Sequence, residues 1–343
     1  MDLTERFKKM IAKKITPLDR IDYSGDIGLV VEHLAKAYGV GKPAGFYVIE
    51  VGYEDCNVAV ETDRGKYVAK IFSKTRNRED IARYGAMMEA AVDAGVNHPL
   101  LIKTESGAAI YSDAQSNRIS MVLMDFIEGD TFFDLGRAPD SKEYFLTIEQ
   151  AVKINSMDCH PPYVVDSWAI PNAQAMFERV KQYIQTKDIQ LITRAMARYA
   201  AIPVNDLPHC FVHGDFSKAN VIKGNDGKMY VLDFSVANWY PRIQELAVIA
   251  ANLFYNENDP IALADRCDFV AGEYDRIIPL ADAEKRYLYD YALAGAAMEF
   301  MGPYQEKFIH MNSSAETEYR LEAGRNGLRS EFANKGNNII AMH

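Results

Sequence analysis

Two observations predict an α+β fold for this sequence, built in two parts. Between residues 46 and 124 lie the strand-like runs, short stretches rich in Val, Ile, Tyr and Phe bounded by Gly, Asp and Asn. From residue 125 the apolar residues recur mostly at helical spacing. A chain of 343 residues can bury two cores. We therefore divide it into an N-terminal lobe, residues 1–124, with leading helices, and a C-terminal lobe, residues 125–343.

Ile27, Val30, Val31, Leu34, Ala35 and Tyr38 have the spacing of one amphipathic helix face, ended by Gly39 and Gly41. Strands follow at 46–51, 57–62 and 66–72, the last two joined by a turn at Asp63-Arg-Gly65. The loop from Gly52 to Asn57 is polar, of the kind that folds over phosphates with its backbone N–H groups. A helix at about 79–94 ends at Gly95, and 119–124 reads as a buried strand. Asp125-Phe-Ile-Glu-Gly129 is an extended connector, taken as the hinge. Helices are then expected at about 141–158, 171–200, 241–256, 260–276, 282–301 and 315–334, with a loose tail from Asn334.

The chemistry is concentrated in Phe211-Val-His-Gly-Asp-Phe-Ser-Lys-Ala-Asn-Val-Ile222 and the following Tyr230-Val-Leu-Asp-Phe234. Phosphoryl transfer to a hydroxyl needs a carboxylate to take the proton, plus an amide oxygen and a second carboxylate to hold magnesium. Asp215, Asn220 and Asp233 stand in that order, and the Asp-x-x-x-x-Asn spacing is the one protein kinases use. Gly224-Asn-Asp-Gly227 is strong turn chemistry between two short strands. As a four-residue loop it pairs Lys223 with Lys228 and sets Asn220 opposite Val231, so that Asn220 and Asp233 share a face. Diagonal neighbours in such a pair are roughly 7–8 Å apart.

Lys70 lies in a strand apolar on both faces, where an unpaired ammonium is costly. It needs an anion, a carboxylate or a phosphate; the alternative is an edge lysine reaching to water. Glu79, Asp80 and Glu89 on the following helix are the candidate partners.

The net charge of −10 argues against a nucleic-acid partner. Residues 1–124 carry 17 basic and 17 acidic side chains, and residues 125–343 carry 21 and 31, so the whole excess lies in the second part. It is either a solubility feature or an attraction for a cationic substrate. No apolar run is long enough to cross a bilayer, and the N-terminus lacks the pattern of a secretory signal. Cys56, Cys159, Cys210 and Cys267 form no Cys-x-x-Cys pair, which fits reduced thiols in the cytoplasm.

Taken in order, these features resemble the aminoglycoside phosphotransferase and choline kinase superfamily, which includes homoserine and methylthioribose kinases. The likeness runs from about residue 25 to 310 and is most specific at 211–249. Glu245 stands where the family usually has the Asp of an Asp-Leu-Ala segment. Asn155 replaces a histidine of a Leu-x-x-Leu-His segment, read as a variation remote from the chemistry. The segment after Phe300, including Pro303-Tyr-Gln-Glu-Lys307, has no assigned counterpart and should shape the acceptor pocket, which leaves the substrate open.

The resemblance implies a two-lobed, protein-kinase-like fold, with an antiparallel sheet and a helix in the smaller lobe and a mainly helical larger lobe. ATP would lie between the lobes, its adenine against the hinge backbone near Asp125 and Ile127, with Asn57 in the phosphate-covering loop and Lys70 on the phosphates. Asn220 and Asp233 would hold Mg2+. Asp215 would act as catalytic base, with His213 bracing its loop. The acceptor would be a hydroxyl of a small molecule, with a preference for a cationic one drawn from Asp125, Glu128, Asp130 and Asp134; no membrane or nucleic acid is implied. A protein kinase is disfavoured because no Ala-Pro-Glu follows Asp233 and Pro241 comes too soon for an activation segment. A nucleotide-binding pseudokinase is disfavoured because Lys70, Asp215, Asn220 and Asp233 are all present. A metal hydrolase built on His213 and Asp215 lacks further ligands nearby.

Overall fold

A computed structural model describes residues 16–116, 118–258 and 261–333; the tail expected from Asn334 lies outside these. The chain packs as two units. One runs to Gly129 and includes Gly224–Ser235; the other comprises Asp130–Lys223 and the residues from Val236.

The first unit opens with a short helix, α1 (Pro17–Arg20), and then α2 (Ile27–Tyr38). Asp26 caps α2 by accepting the Gly28 N–H, and Gly39 ends it in the left-handed region at φ 64°. The strands are β1 (Pro43–Ile49), β2 (Cys56–Thr62), β3 (Gly65–Ile71), β4 (Leu101–Ile102), β5 (Ile110–Asp113) and β6 (Ile119–Asp125), with α3 (Arg78–Asp93) between β3 and β4. They form one sheet in the order β1-β2-β3-β6-β4, with β5 also on β6, and its neighbouring strands pair antiparallel. One face is buried by α2: Val30, Val31, Leu34 and Tyr38 pack on Val58, Val60, Ile71, Met121 and Leu123. Each such side chain contributes about 1.5–3 kcal/mol by leaving water.

The segment 224–235 joins this unit through specific bonds. The Val231 N–H donates to the Asn97 carbonyl at 2.8 Å, and the buried Arg83 guanidinium donates to the Ser235 carbonyl at 3.3 Å. The His98 and Phe234 rings pack at 5.6 Å. Its turn differs from expectation. The Gly224 N–H donates to the Lys228 carbonyl and the Gly227 N–H to the Gly224 carbonyl, with Gly227 at φ 82°. That is a three-residue loop with a left-handed glycine, so Gly224, not Lys223, faces Lys228. The strand Met229–Val231 also stops before Asp233, which takes φ 65°. Strand alternation therefore does not govern its direction, and the expected register argument does not hold.

The second unit is helical. Its long central helix, Asp282–Phe308, is buried along most of its length from Leu288 to Glu306, and helices Ala173–Val180, Thr186–Ala200, Ile243–Val248, Leu263–Asp275 and Ala315–Ala333 pack round it. The expected helix 171–200 is broken, because Lys181–Tyr183 tightens into a 3₁₀ turn and Ile184 and Gln185 are extended. The central helix runs beyond its expected end at 301, straight through the buried Pro303; the missing hydrogen bond is outweighed by the helix's packing. At Gly324 an added Cβ would meet the Glu299 carbonyl at 2.3 Å, which shows how closely the last two helices approach. Among the described residues no helix is long and apolar enough to cross a membrane.

Candidate active site

The helical unit carries the His-Gly-Asp segment on a loop between two antiparallel strand pieces, His209–Val212 and Asn238–Pro241. Asp215 is exposed, and its Oδ2 accepts from Asn220 Nδ2 at 2.6 Å. The same Nδ2 also donates to the Asp215 carbonyl at 3.0 Å. Asn220 is thereby turned with its amide nitrogen towards Asp215 and its Oδ1 away from it.

The loop is pinned from below. Glu245, completely buried, accepts the backbone N–H of His213 at 3.0 Å and of Gly214 at 3.2 Å. His213, also fully buried, accepts the Asp215 N–H on Nδ1 at 3.2 Å. Gly214 sits at φ 86°, where a Cβ would be strained. Asn155 is not remote from this chemistry, contrary to the sequence reading. Its Nδ2 donates to the Phe211 carbonyl at 3.0 Å, its Oδ1 accepts from Tyr274, and its side chain bonds the Glu245 carboxylate. The asparagine supplies both a donor and an acceptor at a point where the catalytic loop needs anchoring.

Burial pushes the Glu245 carboxyl up to about 7, against the two backbone N–H donors that favour its anion; the charge of Asp215 adds to the rise. Its ordinary value is 4.5. Between these values the native state keeps a proton the unfolded chain has lost. The stability from this group is thus complete below about pH 4.5 and is lost as pH rises through about 7, by up to about 3 kcal/mol. We expect Glu245→Gln, which is always neutral, to flatten this slope in denaturant titrations at pH 5 and pH 7.5. An unchanged slope would mean that Glu245 ionises freely in the native protein.

The sheet unit holds a second cluster. Lys70 is buried and directly opposite Asn57 on one side and Val122 on the other. Its ammonium meets Asp233 Oδ2 at 2.9 Å and Asp55 Oδ2 at 3.1 Å. The helix candidates are all overturned as partners. Asp80 is used in the capping box with Asn77, Glu89 pairs with Lys103, and Glu79 is exposed. What α3 presents to Lys70 is the ring of Tyr84, its centroid 5.2 Å from the ammonium.

Asp55 is fully engaged. It also accepts the Ser73 N–H at 2.9 Å and the Arg76 Nε at 2.9 Å, and Arg76 reaches Glu54 at 2.6 Å. A signal for it existed. A two-residue turn joining Thr62 to Gly65 sets Asn57 opposite Lys70, and Asp55 is then the diagonal neighbour on the same face. Burial would raise the Asp233 carboxyl, but the charges of Lys70 and then Arg76 outweigh it and hold Asp233 well below the usual carboxylate range. Its other oxygen accepts the Ser235 N–H at 3.2 Å.

The hinge residues continue from the end of β6, an interior strand of the sheet. The Asp125 N–H donates to the Leu100 carbonyl, the Phe126 N–H donates to the Lys66 carbonyl, and Ile127 follows, half-buried. The four acidic residues after the hinge do not act as one patch. Glu128 is paired with Lys66 at 2.8 Å, and Asp134 accepts from Thr131 in its own turn.

The sequence model of the phosphotransferase enzyme family (APH) matches residues 47–280. The chain belongs to this family. As a member, the phosphotransferase is an ATP-dependent small-molecule kinase. It is 22% identical to the homoserine kinase of Zymomonas mobilis over 259 residues, 74% of this chain and 78% of that one. To the homoserine kinase of a Bradyrhizobium species it is 24% identical over 268 residues, 78% and 81% of the two chains. Among solved structures, a spectinomycin phosphotransferase with ADP and spectinomycin superposes with a TM-score of 0.67 at 13% identity, covering 90% of this phosphotransferase and 98% of that chain. A choline/ethanolamine kinase family protein of Mesorhizobium loti gives 0.62 at 13% identity, covering 89% and 94%. These likenesses establish the fold, α+β with an antiparallel sheet and a helical part, as expected.

Proposed function

We propose that this phosphotransferase, acting in the cytoplasm, phosphorylates a hydroxyl group of a small molecule that bears an amine. The observation that carries the reading is Asp215: an exposed carboxylate, held by Asn220 at 2.6 Å, on a loop pinned by two backbone bonds to a buried glutamate. A general base needs such access and such a fixed direction.

When bound, ATP supplies the phosphoryl group and Mg2+ neutralises its charge. Asp215 orients the acceptor hydroxyl and takes its proton, and His213 and Glu245 keep the loop in shape. Asn220, with its Oδ1 turned away from Asp215, and the anionic Asp233 each offer a hard oxygen. A magnesium ion takes one or two such ligands from protein and completes its shell with phosphate and water, so the donor set fits. Lys70 contacts the phosphates, steered by Asp55. The hinge backbone near Asp125 and Ile127 receives the adenine edge; Asn57 is not in the phosphate-covering loop as expected but follows it on β2, opposite Lys70. Catalysis on this plan is positioning and charge neutralisation.

The amine preference is supported by Glu299, which lines an open cavity together with Lys218 and Ala219 of the catalytic loop. The acceptors named for relatives, among them homoserine, choline, ethanolamine and aminopropanol, all carry a positively charged nitrogen at neutral pH. A coupled ADP-release assay over hydroxylated metabolites and aminoglycosides tests the proposal. Amine-bearing acceptors are expected to give the highest kcat/KM; transfer to peptides or to no acceptor at all would overturn the reading.

A further inference from the structure

Beside the catalytic loop the helical unit contains an open cavity. Its walls come from distant parts of the chain: Lys218 on the catalytic loop, Asn252 and Tyr255, Glu299 on the central helix, and Tyr319 and Arg320 on the last helix. Asn252 lies in a π-helical stretch, Ile249–Leu253, and its Oδ1 accepts the Lys218 N–H at 3.0 Å. The family match ends at 280, so Glu299, Tyr319 and Arg320 lie beyond the stretch it covers.

Of the charges lining it, Arg320 pairs with Glu316 at 2.9 Å, and Glu257 is exposed and accepts from the Tyr319 hydroxyl at 3.2 Å. The other two are less exposed and lack an ion pair among the described residues. The Lys218 ammonium has no ion-pair partner among the described residues; it lies over the Tyr255 ring at 5.8 Å. Glu299 makes no ion pair among the described residues either, and takes only a hydrogen bond from Asn252. The two line one cavity with opposite charges and do not bridge to each other. Lys218 is half-buried in the cavity wall. Burial raises the Glu299 carboxyl against the pull of Arg320, and the charge of Asp215 adds to the rise. Both groups would gain from a counter-charge in the cavity.

We infer that Lys218 and Glu299 are the two poles of a site for a dipolar acceptor, one carrying a carboxylate and an ammonium besides its hydroxyl. Glu299 takes the ammonium and Lys218 the carboxylate, leaving the hydroxyl for Asp215. The inference rests on the proposed function and narrows it from an amine-bearing to an amino-acid-like acceptor. Lys218 and Glu299 are specificity residues in this scheme, and the bond that breaks and the proton that moves are those already assigned to ATP and Asp215.

The test compares three acceptor classes in the wild-type enzyme, Lys218→Met and Glu299→Gln. Serine, hydroxyproline and 2-amino-4-hydroxybutanoic acid are dipolar; 3-aminopropan-1-ol, ethanolamine and choline are cationic; 4-hydroxybutanoate is anionic. The best dipolar acceptor is expected to exceed the others in kcat/KM by about tenfold or more, the ratio one well-made charge contact confers. Lys218→Met should remove that advantage through KM while leaving the cationic acceptors within about threefold. Glu299→Gln should weaken dipolar and cationic acceptors alike. If Lys218→Met instead lowers kcat equally for dipolar and cationic acceptors, the lysine acts on the transferred phosphoryl group and the inference fails. It also fails if a cationic acceptor is preferred by the wild type, or if all seven compounds are inert while another hydroxyl compound is phosphorylated. Absence of transfer to any compound, with ATP bound, would sink the kinase reading itself.

Discussion

Asp215→Asn is expected to lower phosphoryl transfer by about 10²–10⁴-fold, the contribution of a positioned general base. The asparagine keeps the shape of the side chain and an oxygen that can accept the 2.6 Å bond from Asn220, so the loop should hold its conformation. The backbone anchors at His213 and Gly214 do not involve the Asp215 side chain. ATP affinity, measured by calorimetry with Mg2+, should therefore stay within about threefold of the wild type, since a tenfold change needs about 1.4 kcal/mol. Single-turnover rates would locate the defect in the chemical step. Transfer at near wild-type rates would remove Asp215 from the mechanism.

Asp55→Ala is expected to be the most damaging change in the sheet unit. Its carboxylate is buried and has three partners, Lys70 at 3.1 Å, Arg76 at 2.9 Å and the Ser73 N–H at 2.9 Å. Removing one member of a buried charge network leaves the others uncompensated and costs about 3–5 kcal/mol. Lys70 would keep Asp233 as its only carboxylate partner among the described residues, so kcat/KM for ATP should fall by at least about tenfold. Glu79→Ala and Glu89→Ala serve as controls. Glu79 is exposed and Glu89 forms an exposed pair, so each should change stability by less than about 1 kcal/mol. A cycle with Lys70→Met separates the roles, because losses from a true partner pair do not add. Additive losses, or a Glu89→Ala defect as large as that of Asp55→Ala, would reject Asp55 as the anchor.

Much of this arrangement is legible in the order of residues. The spacing from Asp215 to Asn220 is local, and a short loop can present those groups in few ways, so the motif carries its own geometry. The same holds for helix Ile27–Tyr38, whose 3.6-residue apolar period and flanking Asp26 and Gly39 match its observed limits. Four of the six strands in the sheet were likewise plain from β-branched runs, while the short Leu101–Ile102 and Ile110–Asp113 were not; the family match and the fold follow the reading made from these motifs.

Other features depended on distance. The carboxylate beside Lys70 had to come from somewhere, but charge demand does not say from which element; the register between β2 and β3 decided for Asp55. A left-handed Gly227 shortened one turn and moved its pairing by a residue, which is below the resolution of turn composition. Asn155 differed from the family pattern in sequence alone, and only packing revealed that it touches Glu245. The cavity gathers Lys218, Asn252, Glu299 and Arg320 from four segments. The sequence by itself thus determined the local chemistry, because proton acceptance and metal ligation require particular side chains at short, fixed intervals. Tertiary structure decided the partners of Lys70, the anchoring of the catalytic loop and the walls of the cavity. Those contacts are chosen by which buried charges and close-packed backbones find one another, and no sequence interval encodes that choice.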